Sequence, residues 1–223
     1  MTRVKICGVR EVEHALTAVE AGADLLGFIF YRPVRRYVDP SLAARIGEAV
    51  RGRAELVGVF VNEDPASMRE IARLVGLDLI QLSGDEPTVL HQQLDRPVAR
   101  TVHVDATTSV QEIARRTREA ALIHLDTRRA GQYGGTGERF DWRIARAAAS
   151  LGPVLLAGGL DPTNVGEAIA VAEPWGVDVS SGVETDGVKD PAKIEAFVRA
   201  AKGRGPPAGY GASDTRRGAD RRG

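Results

Sequence analysis

The sequence lacks the features that would tie it to a membrane, a disulfide framework or a polyanion. No uninterrupted apolar run approaches the roughly 18 residues of a candidate membrane span. The opening residues, Met1-Thr2-Arg3-Val4-Lys5, lead directly into a strand-like segment. They show neither the apolar stretch nor the small-residue cleavage site of a secretory signal, so a cytoplasmic location is expected. Cys7 is the only cysteine, which excludes an intrachain disulfide. Charge is balanced, with 30 basic and 30 acidic residues, so no global field draws the chain to nucleic acid or to an anionic membrane. The four histidines include His14, which reads as a helix-surface residue, and His91 and His103, which match no metal-ligand spacing. No metal is expected.

What is present is an alternation. Short aliphatic, β-branched runs are read as strands over Val4–Cys7, Leu25–Phe30, Leu56–Val61, Leu77–Leu82, Val98–Val102, Ala121–Leu125, Val154–Ala157 and Val177–Val179. Amphipathic segments between and after them read as helices: Val12–Ala21, Leu42–Val50, Ala66–Leu74, Pro87–Leu94, Ser109–Arg118, Trp142–Ala149, Asn164–Ala172 and Pro191–Ala201. Asp64-Pro65 and Asp190-Pro191 supply a side-chain acceptor and an early proline at helix starts, and Gly22 and Gly76 stand where helices end. An unbroken β-α alternation implies a parallel sheet covered by helices. Eight such units favour one closed (βα)8 barrel of the α/β class, a TIM barrel, over an open doubly wound sheet. No G-x-G-x-x-G follows the first strand to support the open form. The barrel domain is expected over residues 1–202. Residues 203–223, rich in Gly, Pro, Arg and Asp and nearly free of aliphatics, read as a disordered tail.

In a barrel strand, alternate side chains face the interior and the surrounding helices. Assigning the aliphatic positions to the helix side places Lys5 and Cys7 inward on the first strand and Gln81 and Ser83 on the fourth. It places His124 and Asp126 inward on the sixth, and Asp178 and Ser180 on the eighth. Burying so many polar groups without a use would be costly. Barrel active sites form at the strand C-termini. Cys7 and Asp126 stand out as a base and an acid, with Lys5 near enough in sequence to favour a thiolate. Gln81 and Asp178 are candidate substrate contacts.

Two glycine-bearing turns follow the last two strands: Ala157-Gly158-Gly159-Leu160 and Ser180-Ser181-Gly182-Val183. Barrels often bind phosphate there through backbone N–H groups, which makes Gly158, Gly159, Ser180, Ser181 and Gly182 the phosphate candidates. The longest loop, residues 127–140, carries Gly134-Gly135-Thr136-Gly137 and reads as a lid that excludes water. Arg32, Arg35 and Arg36 follow the second strand and offer an anion contact. Trp142 and Trp175 read as packing anchors.

Taken in order, these segments resemble the phosphoribosylanthranilate isomerases of tryptophan biosynthesis. The likeness rests on Lys5-Ile6-Cys7-Gly8, on Gly27-Phe28-Ile29-Phe30-Tyr31 with Arg36-Tyr37-Val38, and on Val57–Asn62. It continues through Gln81–Glu86, Leu125-Asp126-Thr127, Gly134–Gly137, Leu156–Leu160 and Asp178–Glu184. The resemblance implies an Amadori rearrangement of N-(5-phosphoribosyl)anthranilate to 1-(2-carboxyphenylamino)-1-deoxyribulose 5-phosphate. In it Cys7 would be the general base, Asp126 the general acid and Arg36 the ligand of the anthranilate carboxylate. The two late turns would bind the phosphate, and the Gly134–Gly137 loop would close over the substrate. It implies no cofactor, a small phosphosugar as the partner and a monomer or homodimer. The chain departs from the family pattern at Ser83, where histidine is usual, and at Val34-Arg35, where Ser-Pro is usual. A related histidine-pathway isomerase would be expected to use two aspartates, and Cys7 stands against it. A catalytically silent phosphosugar-binding barrel is a reading of another class, opposed by the intact Cys7 and Asp126.

Overall fold

The computed structural model describes residues 1–127 and 141–203. The lid residues Gly134, Gly135, Thr136 and Gly137 and nearly all of the expected tail lie outside the described residues. Eight parallel strands close into a barrel in sequence order: β1 (Arg3–Cys7), β2 (Leu25–Ile29), β3 (Glu55–Phe60), β4 (Leu79–Leu82), β5 (Val98–Val104), β6 (Leu122–Thr127), β7 (Val154–Leu156) and β8 (Gly176–Val179). The last strand pairs with the first, setting Lys5 opposite Asp178 and so sealing the barrel.

Among the described residues seven helices surround it: α1 (Val12–Ala21), α2 (Pro40–Ala49), α3 (Pro65–Val75), α4 (Val110–Arg116), α5 (Arg143–Ala148), α6 (Val165–Ala172) and α7 (Pro191–Ala201). Asp39, Asp64 and Asp190 each accept backbone N–H groups of the turn that follows, with a proline as the next residue. Gly22 and Gly76 end α1 and α3 in the left-handed conformation, at φ 104° and 73°. The helix expected between β4 and β5 is instead a 3₁₀ segment, Thr88–Gln93. Its run is too short to bury an amphipathic face, and Leu90 is its one buried residue. A two-stranded hairpin, β9 (Glu184–Thr185) and β10 (Val188–Lys189), follows β8.

The aliphatic positions divide into two cores. The larger lies between strands and helices and contains Val4, Ile6, Ile80, Leu82, Ile123, Leu125, Val177 and Val179. The smaller fills the lower barrel interior with Leu25, Val57, Leu79, Ala99, Leu122 and Leu155, closed by Trp175. Trp142 is buried in the larger core. His14 departs from its expected place on a helix surface. It is only 7% exposed, on the covered side of α1. The interior is thus apolar at the strand N-termini and becomes polar one step further up.

Candidate active site

The polar step begins with a buried network. Lys5 is fully enclosed, and its Nζ donates to Asp178 Oδ2 at 2.9 Å and to Gln81 Oε1 at 3.0 Å. Because the Gln81 oxygen faces Lys5, its amide NH₂ faces Ser83 Oγ at 3.1 Å and, further off, Thr101 and His124. His124 Nε2 lies 3.0 Å from Asp178 Oδ2, and its Nδ1 lies 3.0 Å from Thr101 Oγ1. The acceptor at Asp178 assigns the ring proton to Nε2, leaving Nδ1 to accept. Burial alone would raise the Asp178 carboxyl, but Lys5 and His124 outweigh it and hold the group at about 2. Burial works against the Lys5 ammonium too, and its anionic partners reverse this, so its pKa is raised. Asp178 Oδ1 has no partner within the protein among the described residues, and Asp178 lines the cleft above.

That cleft opens at the strand C-termini and encloses about 870 Å³, counted out to open solvent at its mouth. Cys7 and Asp126 both line it. Their strands, β1 and β6, stand three steps apart around an eight-strand ring, so the two groups approach from different sides of the mouth. Asp126 Oδ1 accepts the Thr127 N–H at 2.8 Å. Cys7 is buried to 7% exposure. Burial pushes its thiol above its ordinary value, opposed by Lys5, reinforced by Asp178 and opposed again by Lys189. Lys5 therefore favours the thiolate, as its place in the sequence suggested, but does not overcome the burial. Gly27 makes room for both residues. A Cβ there would stand 2.9 Å from Cys7 Sγ and 3.1 Å from Lys5 Cε.

Arg36 borders the same cleft. Its Nε and Nη2 donate side-on to Glu184 at 2.7 and 2.8 Å. Arg35 is more than half exposed and reaches Glu184 from outside at 2.7 Å. Arg32 stacks on the Tyr37 ring instead. Of the three arginines, only Arg36 presents itself to the cleft.

Gly158, Gly159, Ser180 and Ser181 also line the cleft. Gly158 and Gly159 have φ of 88° and 66°, and no protein acceptor takes either amide among the described residues. A side chain at Gly158 would clash with Thr127 Oγ1 and with the Thr127 backbone nitrogen. Gly182 is not in the wall. It packs under the Leu160 carbonyl, where a Cβ has no room, and so holds the two turns together.

The strand parity inferred from the sequence thus brings Cys7, Ser83, Asp126, Asp178 and Ser180 to one mouth. Gln81 sits below the cleft, engaged by Lys5, and is not part of its wall. Three residues carried no sequence signal strong enough to select them. His103 lines the cleft, pairs in register with Asp126 and places Nε2 3.3 Å from the Ser83 carbonyl. Burial lowers its pKa, with the Asp126 charge opposing. Glu184 and Lys189 form the hairpin behind Arg36, and their alternation within that two-strand unit is too short to read.

The profile of the N-(5'-phosphoribosyl)anthranilate (PRA) isomerase family matches residues 4–200. The N-(5'-phosphoribosyl)anthranilate isomerase of Roseiflexus sp. (strain RS-1) is 48% identical over 211 residues, covering 91% of this chain and 98% of its own. The crystal structure of phosphoribosyl anthranilate isomerase from Thermotoga maritima superposes with a TM-score of 0.83 at 41% identity, covering 91% of this chain and all of that one. A phosphoribosyl anthranilate isomerase solved in complex with reduced 1-(o-carboxyphenylamino)-1-deoxyribulose 5-phosphate gives a TM-score of 0.79 at 39% identity over the same share of this chain and 100% of its own. A barrel whose polar mouth carries Cys7, Asp126 and Arg36, matched along nearly its whole length, belongs to the phosphoribosylanthranilate isomerase family.

Proposed function

We propose that the cleft converts N-(5-phosphoribosyl)anthranilate to 1-(2-carboxyphenylamino)-1-deoxyribulose 5-phosphate, with Asp126 as acid and Cys7 as base. The observation that carries the assignment is that Cys7 and Asp126 line one cleft from different strands. Asp126 donates a proton to the ribose ring oxygen. The C1′–O bond breaks toward that oxygen, and the anilino nitrogen lone pair forms the C1′=N bond of a Schiff base. Cys7 then takes the C2′ proton, and the freed electron pair forms C1′=C2′ and neutralises the nitrogen. The enolamine tautomerises to the ketone.

The reaction needs one proton shared between Cys7 and Asp126. Thiol with carboxylate, the arrangement that burial of Cys7 favours, has the same proton count as thiolate with carboxylic acid. The reactive arrangement is therefore a redistribution within the pair rather than an additional ionisation. Lys5 and Lys189 lower its cost by stabilising the thiolate.

Around this pair, Arg36 binds the aromatic carboxylate. The open amides of Gly158 and Gly159, with Ser180 and Ser181, receive the phosphate. Asp178 Oδ1 accepts a ribose hydroxyl, and Gln81 serves by fixing Lys5. Among the described residues no helix is long and apolar enough to cross a membrane, and a thiol reserved for proton transfer suits a reducing cytoplasm. Loss of anthranilate fluorescence on mixing protein with phosphoribosylanthranilate tests the reading. Cys7→Ser and Asp126→Asn are each expected to lower kcat by about 10²–10⁴-fold with the circular dichroism unchanged. A folded wild-type protein without turnover would leave the silent-barrel alternative in its place.

A further inference from the structure

We infer that Glu184 is the positioning residue that aims Arg36 at the substrate carboxylate. This deepens the reading above and rests on Arg36 as the carboxylate ligand. A guanidinium has two edges able to grip a carboxylate, one formed by Nε and Nη2 and one by the two terminal nitrogens. Glu184 occupies the first edge completely, at 2.7 and 2.8 Å. No partner takes the second edge among the described residues, and Arg36 lies in the cleft wall. The stem is fixed as well. Gly8, at φ 77° directly after Cys7, carries it so closely that a Cβ would stand 2.9 Å from Arg36 Cδ.

Glu184 is in turn held from three further directions. Arg35 Nη2 donates to Oε2 at 2.7 Å, Lys189 Nζ donates to Oε1 at 3.0 Å, and Lys193 Nζ donates to its backbone carbonyl at 2.8 Å. The same Lys189 ammonium donates to the Ser180 carbonyl at 2.8 Å. Ser180 Oγ donates to the Cys7 carbonyl at 3.1 Å. One carboxylate, 5% exposed, thus connects the Arg36 fork, the start of the phosphate turn and the strand end that bears the base. The cluster of Arg35, Arg36 and Lys189 keeps a cationic surplus over Glu184, as a site for an anionic substrate requires.

The test is steady-state kinetics with phosphoribosylanthranilate on Glu184→Gln, Glu184→Asp, Arg36→Ala and the double variant Arg36→Ala/Glu184→Gln. Glutamine places an N–H against a cation and cannot accept from both nitrogens of the fork. It is expected to raise KM by about 10–100-fold while kcat stays within about threefold. In the Arg36→Ala background, where KM is already raised, adding Glu184→Gln should change KM by less than about threefold. Glu184→Asp keeps the charge that holds the hairpin but shortens the reach, so it should fold with a normal Tm and still raise KM. It decides the matter by the same criteria if Glu184→Gln does not fold. A near-normal KM in a folded Glu184 variant, beside a raised KM in Arg36→Ala, overturns the inference and leaves the carboxylate reading intact. Equal, independent effects of Glu184→Gln in both backgrounds overturn it as well. A normal KM in Arg36→Ala removes the carboxylate reading and this inference together.

Discussion

At the scale of single residues, the site depends on an atom that is missing. Gly27 stands beside Cys7 and Lys5 on the neighbouring strand, and its lack of a Cβ leaves the volume in which Sγ and the lysine stem sit. Gly27→Ala would place a methyl group 2.9 Å from Sγ, well inside contact distance, with the Cys7 backbone only 3.1 Å away. The thiol would have to move. A displacement approaching 1 Å costs about 10²-fold in rate, so kcat should fall by that order while substrate affinity changes little. A Gly27→Ala enzyme with wild-type kcat would show that Cys7 has slack. Alternation of side chains made the inward set of Lys5, Cys7, Gln81, Ser83, His124, Asp126 and Asp178 readable from sequence, because period two needs no knowledge of contacts. The partners were not readable. Lys5 lies two positions from Cys7 yet bonds to Asp178, 173 residues away, because closure of β1 against β8 makes them register neighbours. Gly27 stands in a motif of the sequence, but its role was not readable for a related reason: a residue that acts by absence bears no chemical mark.

Among elements, the exit of β4 shows how a turn is fixed near the cleft. Glu86 accepts the Gly84 N–H, the Asn62 N–H and Arg100 Nη1, the last at 2.7 Å, with both charged side chains almost fully enclosed. It fastens the exits of β3 and β4 to the Arg100 side chain of β5 beside Ser83. Removing one member of such a pair leaves the other charge buried alone, so Glu86→Ala should cost about 3–5 kcal/mol in urea unfolding. A loss under about 1 kcal/mol would show that solvent reaches Arg100 freely. The eight strands were legible because each is a compact aliphatic run between turn residues. The helix between β4 and β5 was overread, since Pro87 and the short span before β5 permit only a 3₁₀ turn. The β9–β10 hairpin was missed although Asp186-Gly187 is a strong two-residue turn signal, and both residues have positive φ, at 50° and 83°. Its strands are too short to show periodicity, yet they deliver Glu184 and Lys189 to the site.

For the molecule as a whole, two enclosed carboxylates set the acid limit of stability. Burial opposes ionisation of Asp178 and of Glu184, but Lys5 and His124 hold the first at about 2, and Arg36 and Lys189 hold the second at about 2. Their unfolded values are about 3.9 and 4.3. A depressed folded pKa contributes stability that is complete above the unfolded value and is lost as pH falls through the folded one. The urea midpoint should therefore fall between about pH 4 and pH 2. Asp178→Asn should lower the midpoint at neutral pH and flatten that fall. An unchanged slope in Asp178→Asn would mean that other carboxylates govern the acid transition.

The closing seam between β1 and β8 also sets when the enzyme can exist during its own synthesis. Lys5, Cys7 and Gly27 leave the ribosome well before Asp178, Ser180 and Glu184. Until β8 emerges, Lys5 has no counter-ion and the barrel has two unpaired edges at the positions that later flank the base. A nascent or truncated chain ending before residue 176 therefore carries the whole interior apolar layer but neither the full outer core nor a complete substrate site. β8, the last of the eight barrel strands to be translated, completes both the barrel and the chemistry, so isomerase activity in a translation mixture reports only chains extended past it.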